Sequence, residues 1–144
     1  MFINNCVNTY FMLSLLLIVT LTLVYPIPTS IGITNYVASN YKPFFVIKSL
    51  LKSNSFLDCT YNIIGNIMLF IPLGLILPLK FKRINKFGKA VFVGFIFSVF
   101  IELTQLLMPY RQTDIDDIIL NTLGTGLGYG IYKLWLKKSD ICDF

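Results

Sequence analysis

The chain has 144 residues, of which 56% are hydrophobic and 13% charged, about half the charged content of an ordinary soluble domain. A mean hydropathy of +0.73 excludes a disordered chain, and apolar residues gathered in long runs point to one membrane domain, residues 1–144, rather than a soluble fold. Twelve basic residues against seven acidic give a net charge of +5, but the basic residues sit at the ends of apolar runs, as they do in positive-inside loops, so no nucleic-acid partner is expected.

The first apolar run covers about residues 10–27 (YFMLSLLLIVTLTLVYPI). It has no basic segment before it and no small-x-small site after it, so it reads as a retained first helix rather than a cleaved signal. Ser30 to Asn40 is polar and irregular. After Pro43, a residue suited to a helix start, Phe44, Phe45, Ile47, Leu50 and Leu51 alternate with Lys42, Lys48 and Lys52. That pattern predicts a short amphipathic helix, which either lies on the membrane surface or packs on the bundle. The second run is about 62–79, the third 90–108 and the fourth 115–136. The predicted architecture is therefore all-α: four transmembrane helices with an interfacial helix between the first and second.

Basic residues set the expected orientation. Lys80, Lys82, Arg83, Lys86 and Lys89 lie between the second and third runs, and Lys133, Lys137 and Lys138 follow the fourth. Both segments are expected in the cytoplasm, with both termini inside a multi-pass cell-membrane protein. Pro72 and Gly74 predict a kink in the second run.

Polar residues inside apolar runs usually face a bundle interior, and here they fall on helical stripes. The second run carries Asn62 and Asn66. The third carries Gly94, Ser98, Glu102 and Gln105. The fourth carries Asp114, Asp117, Asn121, Gly124 and Gly128. Glu102 precedes Pro109 by seven residues and Asn121 follows Asp114 by seven, so each sits roughly 10 Å from the same end of its helix. Antiparallel neighbours thus bring their polar groups to one outer level.

Gly124 and Gly128 form a small-xxx-small pattern that lets a neighbouring backbone approach, and Gly126 with Gly130 offers a second such face. Thr113 or Asp114 suits the cap of the fourth helix, and Asp116 suits its first turn. Asp117 shares the stripe of Asn121. Arg111 can pair with Asp114 or Glu102, or hold a phosphate in a fork. Glu102 is the leading single candidate, with Gln105 one turn away as its hydrogen-bond neighbour. The chain contains no histidine, which excludes histidine metal sites and histidine-based triads. Cys6, Cys59 and Cys142 form no CxxC pair. No cofactor and no metal are expected.

Two blocks carry a resemblance: Asn62-Ile-Ile-Gly-Asn66-Ile-Met-Leu-Phe-Ile-Pro72-Leu-Gly74, and Glu102-Leu-Thr-Gln105 followed by Arg111-Gln-Thr-Asp114-Ile-Asp116-Asp117-Ile-Ile-Leu-Asn121-Thr-Leu-Gly124. With the layout of the runs, the chain resembles the VanZ-like family over about residues 10–136. That family is named for a protein linked to teicoplanin resistance, so the resemblance implies an envelope role and glycopeptide tolerance. It implies no reaction. The positions it carries over are Asn62, Asn66, Glu102, Gln105, Arg111, Asp114, Asp117 and Asn121.

Three readings follow. The leading one is a non-catalytic envelope protein whose outward polar pocket binds a cell-wall precursor, a lipid-linked ligand or a partner. The second is an intramembrane enzyme on a lipid-linked substrate, with Glu102 as acid or base and Asp114 with Asp117 holding a divalent cation. The third is a small proton-coupled transporter or flippase, for which four spans call for a homodimer.

Overall fold

The computed structural model describes residues 2–24, 40–52, 60–108 and 113–142. Among these the chain is helices joined by short turns, with one isolated parallel bridge between Asn40 and Asp114. Helix α1 is Phe2–Val19 and widens into a π turn at Thr20–Val24. The short helix α2 is Phe45–Lys52. A second π turn, Thr60–Ile64, leads into α3, Gly65–Lys80. Helix α4 is Phe87–Leu106 and α5 is Ile115–Cys142. The stretch expected to be irregular, Ser30 to Asn40, lies outside the described residues except for Asn40.

The helices start and stop where local chemistry dictates. Helix α1 begins eight residues earlier than its apolar run, because no glycine or proline interrupts the polar start and Thr9 returns its hydroxyl to the Asn5 carbonyl at 3.0 Å. Helix α4 starts at Phe87 rather than 90, after an extended Lys86, and ends at Leu106 rather than 108, three residues before Pro109. Helix α5 runs to Cys142 rather than 136, since nothing after Gly130 breaks it. Helix α3 continues from Gly65 to Lys80 through Pro72 and Pro78.

Helices α1, α3 and α4 carry stretches long and apolar enough to cross a membrane: Asn4–Leu23, Asn62–Lys80 and Phe87–Leu106. The fourth long helix, α5, is more polar; it buries Asn121, Thr125 and Tyr129 against its neighbours and leaves Leu123, Leu127 and Trp135 exposed. It packs most closely on α3, then on α4, while α1 packs on α3. Ile18, Phe70, Leu73, Leu77 and Ile101 form the apolar core where these helices meet. Their burial makes α1 part of the bundle.

Contacts between α3 and α5 run backbone against backbone. A Cβ on Gly128 would stand 2.1 Å from the Ile71 carbonyl oxygen, and one on Gly124 would stand 2.2 Å from that of Ile67. Only glycine permits this approach. Among the described residues the second small-residue face predicted on α5 meets no neighbouring backbone: Gly126 lies against the Phe87 ring, and a Cβ on Gly130 would meet nothing within 4 Å.

Cross-links fix the antiparallel order. At one end Lys80 donates to Asn8 at 2.8 Å, and the Tyr129 hydroxyl donates to the Asn85 carbonyl at 2.7 Å. At the other, α3, α4, α5 and the end of α1 bring their polar residues together. The basic α3–α4 turn and the start of α1 therefore share one end of the bundle, and the polar residues occupy the opposite one.

Candidate functional site

The site assembles around the first two turns of α5. Asp114 caps that helix: its Oδ1 accepts the Asp116 backbone N–H at 2.9 Å. The same oxygen accepts from Asn40 Nδ2 at 2.9 Å. Asn40 also donates its backbone N–H to the Thr113 carbonyl at 2.9 Å and accepts from the Ile115 N–H at 3.1 Å. Helix α4 grips this segment from its other side. Glu102, 3% exposed, accepts the Asp114 backbone N–H on Oε2 at 2.8 Å, while its own carbonyl accepts the Thr113 hydroxyl at 3.1 Å.

Two further links tie the three long helices together. Asn66 on α3 donates to Asp117 Oδ1 on α5 at 2.7 Å. Asn121, 1% exposed, donates to the Ser98 hydroxyl of α4 at 2.9 Å. The predicted stripes thus meet pairwise, Asn66 with Asp117, Glu102 with Asp114, and Asn121 with Ser98. Asp117 lies near enough to Glu102, Asp114 and Asp116, and Glu102 to Asp114, for like charges to repel.

Gln105 departs from expectation. It turns away from Glu102 and donates to the Thr22 carbonyl at the end of α1, at 2.9 Å. The π turn Thr20–Val24 contains that carbonyl, and a widened turn frees carbonyls from the i to i+4 ladder. Asn62 sits half-buried on the other π turn, before α3. Arg111 lies outside the described residues.

Asp116 stands in the first turn of α5, as the sequence predicts, and its carboxylate also serves the start of α2, a second role that was not expected. It is fully buried and accepts the backbone N–H groups of Phe44 and, at 3.1 Å, Ile47. Those are orphan donors at the start of a helix. Phe44 adopts φ 62°, a conformation bulky side chains rarely take, and the Asp116 carboxylate holds its N–H there. The signal in the sequence was a pair of mismatches: three aspartates stand at the start of one helix, and no capping Ser, Thr, Asn or Asp stands in Tyr41-Lys42-Pro43-Phe44 before the other. On α2, Phe44 and Phe45 are exposed and Ile47 is half-buried. The side chains of Leu50 and Leu51 lie outside those described.

Asn40 was also missed. Its Oδ1 accepts the Lys42 N–H at 3.0 Å, a local Asx turn of the kind asparagine favours, but its pairing with Asp114 spans 74 residues and leaves no local trace.

Chemically, the layer is rich in acceptors. Three buried side-chain oxygens, Asn62 Oδ1, Gln105 Oε1 and Asn121 Oδ1, have no hydrogen-bond partner among the described residues. Among those residues no group of three or more His, Cys, Asp or Glu has a metal-holding arrangement, so Asp114 and Asp117 gain no third ligand of that type. Two grooves on the surface are lined by other residues, one along α1 and one between α1, α3 and α4.

A profile of the VanZ/LLP1 family matches residues 9–136, which include every site residue named above. The protein named "Protein VanZ" from Enterococcus faecium is 38% identical over 79 residues, covering 55% of this chain and 48% of that protein. The matched part is thus about half the length of that curated relative. No solved structure matches the chain. With residues 9–136 matched, the chain belongs to the VanZ/LLP1 family of membrane proteins.

Proposed function

We propose that the chain works in the cell envelope and contributes to glycopeptide tolerance, and that the polar layer at the start of α5 is its working part. One observation carries this reading. Asn66, Glu102, Asp114, Asp117 and Asn121 come from three helices to one level, and three acceptor oxygens in that layer have no hydrogen-bond partner among the described residues. Buried acceptors without donors are costly. A ligand supplying N–H or O–H groups removes that cost, and the sugars and peptide amides of a cell-wall or lipid-linked precursor supply both.

Orientation supports the same reading. The basic turn Lys80–Lys89 occupies the opposite end of the bundle and favours the cytoplasm, which turns the polar layer outward. Between the two ends lies the apolar plug of Ile18, Phe70, Leu73, Leu77 and Ile101. That plug favours a one-sided pocket over a path through the bundle. Arg111 would meet an anionic part of the ligand through its planar fork.

The test is complementation of cells lacking this chain, scored as teicoplanin sensitivity. Glu102→Gln and Asp117→Asn keep the shape of each side chain and remove its charge. At equal protein levels both are expected to leave the cells as sensitive as the deletion. Full tolerance with both variants overturns the proposal.

A further inference from the structure

The opposite end of the bundle carries a second feature, independent of the reading above. A groove of about 410 Å³ opens between α1, α3 and α4, within the size range of about 300–1,000 Å³ typical of ligand pockets. Every residue lining it is apolar, among them Phe11 and Leu15 of α1, Leu77 of α3, Phe81 of the turn, and Val93 and Phe97 of α4. Its rim is cationic. The Lys80 ammonium stands 4.6 Å from the Phe11 ring centre and 5.8 Å from that of Phe81, both of which line the groove. Between Lys80 and Lys89 the chain holds five basic residues and no acidic one. Lys82, Arg83, Lys86 and Lys89 are exposed.

We propose that this groove is a binding site for an anionic glycerophospholipid. One acyl chain would lie between α1 and α4, and the phosphate would rest on the basic turn. The chemistry divides the work. An acyl chain gains little by leaving other lipid tails for an apolar groove, because the bilayer is equally apolar. The groove therefore fixes where a tail lies, and the cationic rim decides which lipid supplies it. A helix from a second copy would fill the groove but leave the basic rim without a counter-charge, so charge complementarity selects the lipid.

The experiment uses the full chain purified in a neutral detergent. Native mass spectrometry compares retention of phosphatidylglycerol and phosphatidylcholine with identical tails, and a phosphatidylglycerol with a photoreactive tail maps where the chain lies. Phosphatidylglycerol is expected to be retained at least about tenfold better. The exposed triple variant Lys82→Gln, Arg83→Gln, Lys86→Gln should weaken that preference, and adding Lys80→Gln should abolish it. Photolabelling is expected on the segments around Phe11, Leu77 and Val93, and Val93→Trp, which fills the groove, should remove it. Equal retention of the two lipids overturns the proposal. So does labelling confined to the exposed face of α1, or a cross-linked dimer joined through the groove. Should Val93→Trp fail to fold, the exposed-residue variant and the label map still decide.

Discussion

At the end where α4 meets α5, acidic groups are turned inward; at the other end, basic groups are turned outward. Glu102, Asp116 and Asn121 are almost wholly buried, and each serves a named partner on another segment. Lys82, Arg83, Lys86 and Lys89 are exposed, and Lys89 reaches the Arg83 carbonyl nearby, at 2.8 Å. The contrast teaches where a change should be felt. A buried polar group that loses its partner stays dry and uncompensated. An exposed one exchanges its partner for water. The acidic end should therefore be fragile to single substitutions and the basic end tolerant.

The largest effect should come from the seam on which both ends depend. Gly128→Val places branched carbons where the Ile71 carbonyl oxygen stands 2.1 Å from a bare Cβ. Neither backbone can yield easily, so a loss of about 3 kcal/mol is expected. Gly130→Val, two residues on and facing open space, should stay within about 0.5 kcal/mol of the parent. Thermal unfolding in detergent measures both. Comparable losses in the two variants would mean that helix propensity, not close approach, explains these glycines.

Next in size is Asp116→Ala. The Phe44 and Ile47 N–H groups lose their acceptor, and Phe44 loses the contact that holds its positive φ. A destabilisation of about 2 kcal/mol is expected. Its particular sign is local: a cysteine placed at Phe45 should react faster with a water-soluble maleimide, while one placed at Phe92 on α4 should not change. Equal acceleration at both positions would point to global unfolding and remove the capping role.

These residues also mark how far the sequence could be read. The long helices were legible because apolar runs bounded by lysines and prolines have few other solutions in a membrane. The shared level of Asn66, Glu102 and Asn121 was legible because helical rise converts sequence distance into depth. Partners were a different matter. Asp116 meets Ile47 across 69 residues, and no periodicity encodes a contact between a helix start and a distant loop. Gln105 was misassigned for a related reason: a π turn in α1 offered it the Thr22 carbonyl, and nothing in an apolar run announces where such a turn will widen. The ends of α1 and α5 extended further than hydropathy indicated because a helix stops at breakers or caps, not where its apolar residues run out.

The sharpest comparison sets two hydrogen bonds of equal length against each other, one at each end. Asn66 donates to Asp117 at 2.7 Å between α3 and α5. Tyr129 donates to the Asn85 carbonyl at 2.7 Å between α5 and the basic turn. Interhelical polar contacts in membranes average about 0.6 kcal/mol and reach about 1.7. A double-mutant cycle of Asn66→Leu with Asp117→Leu should return a coupling near the upper value, since either single variant strands its partner among neighbouring carboxylates. Tyr129→Phe should lose only about 0.5 kcal/mol, because Asn85 is exposed and its carbonyl can turn to water. The ordering matters more than the values. If Tyr129→Phe proves the more damaging change, then fragility follows the glycine seam next to Tyr129, and the inward turn of the acids is not what divides the two ends.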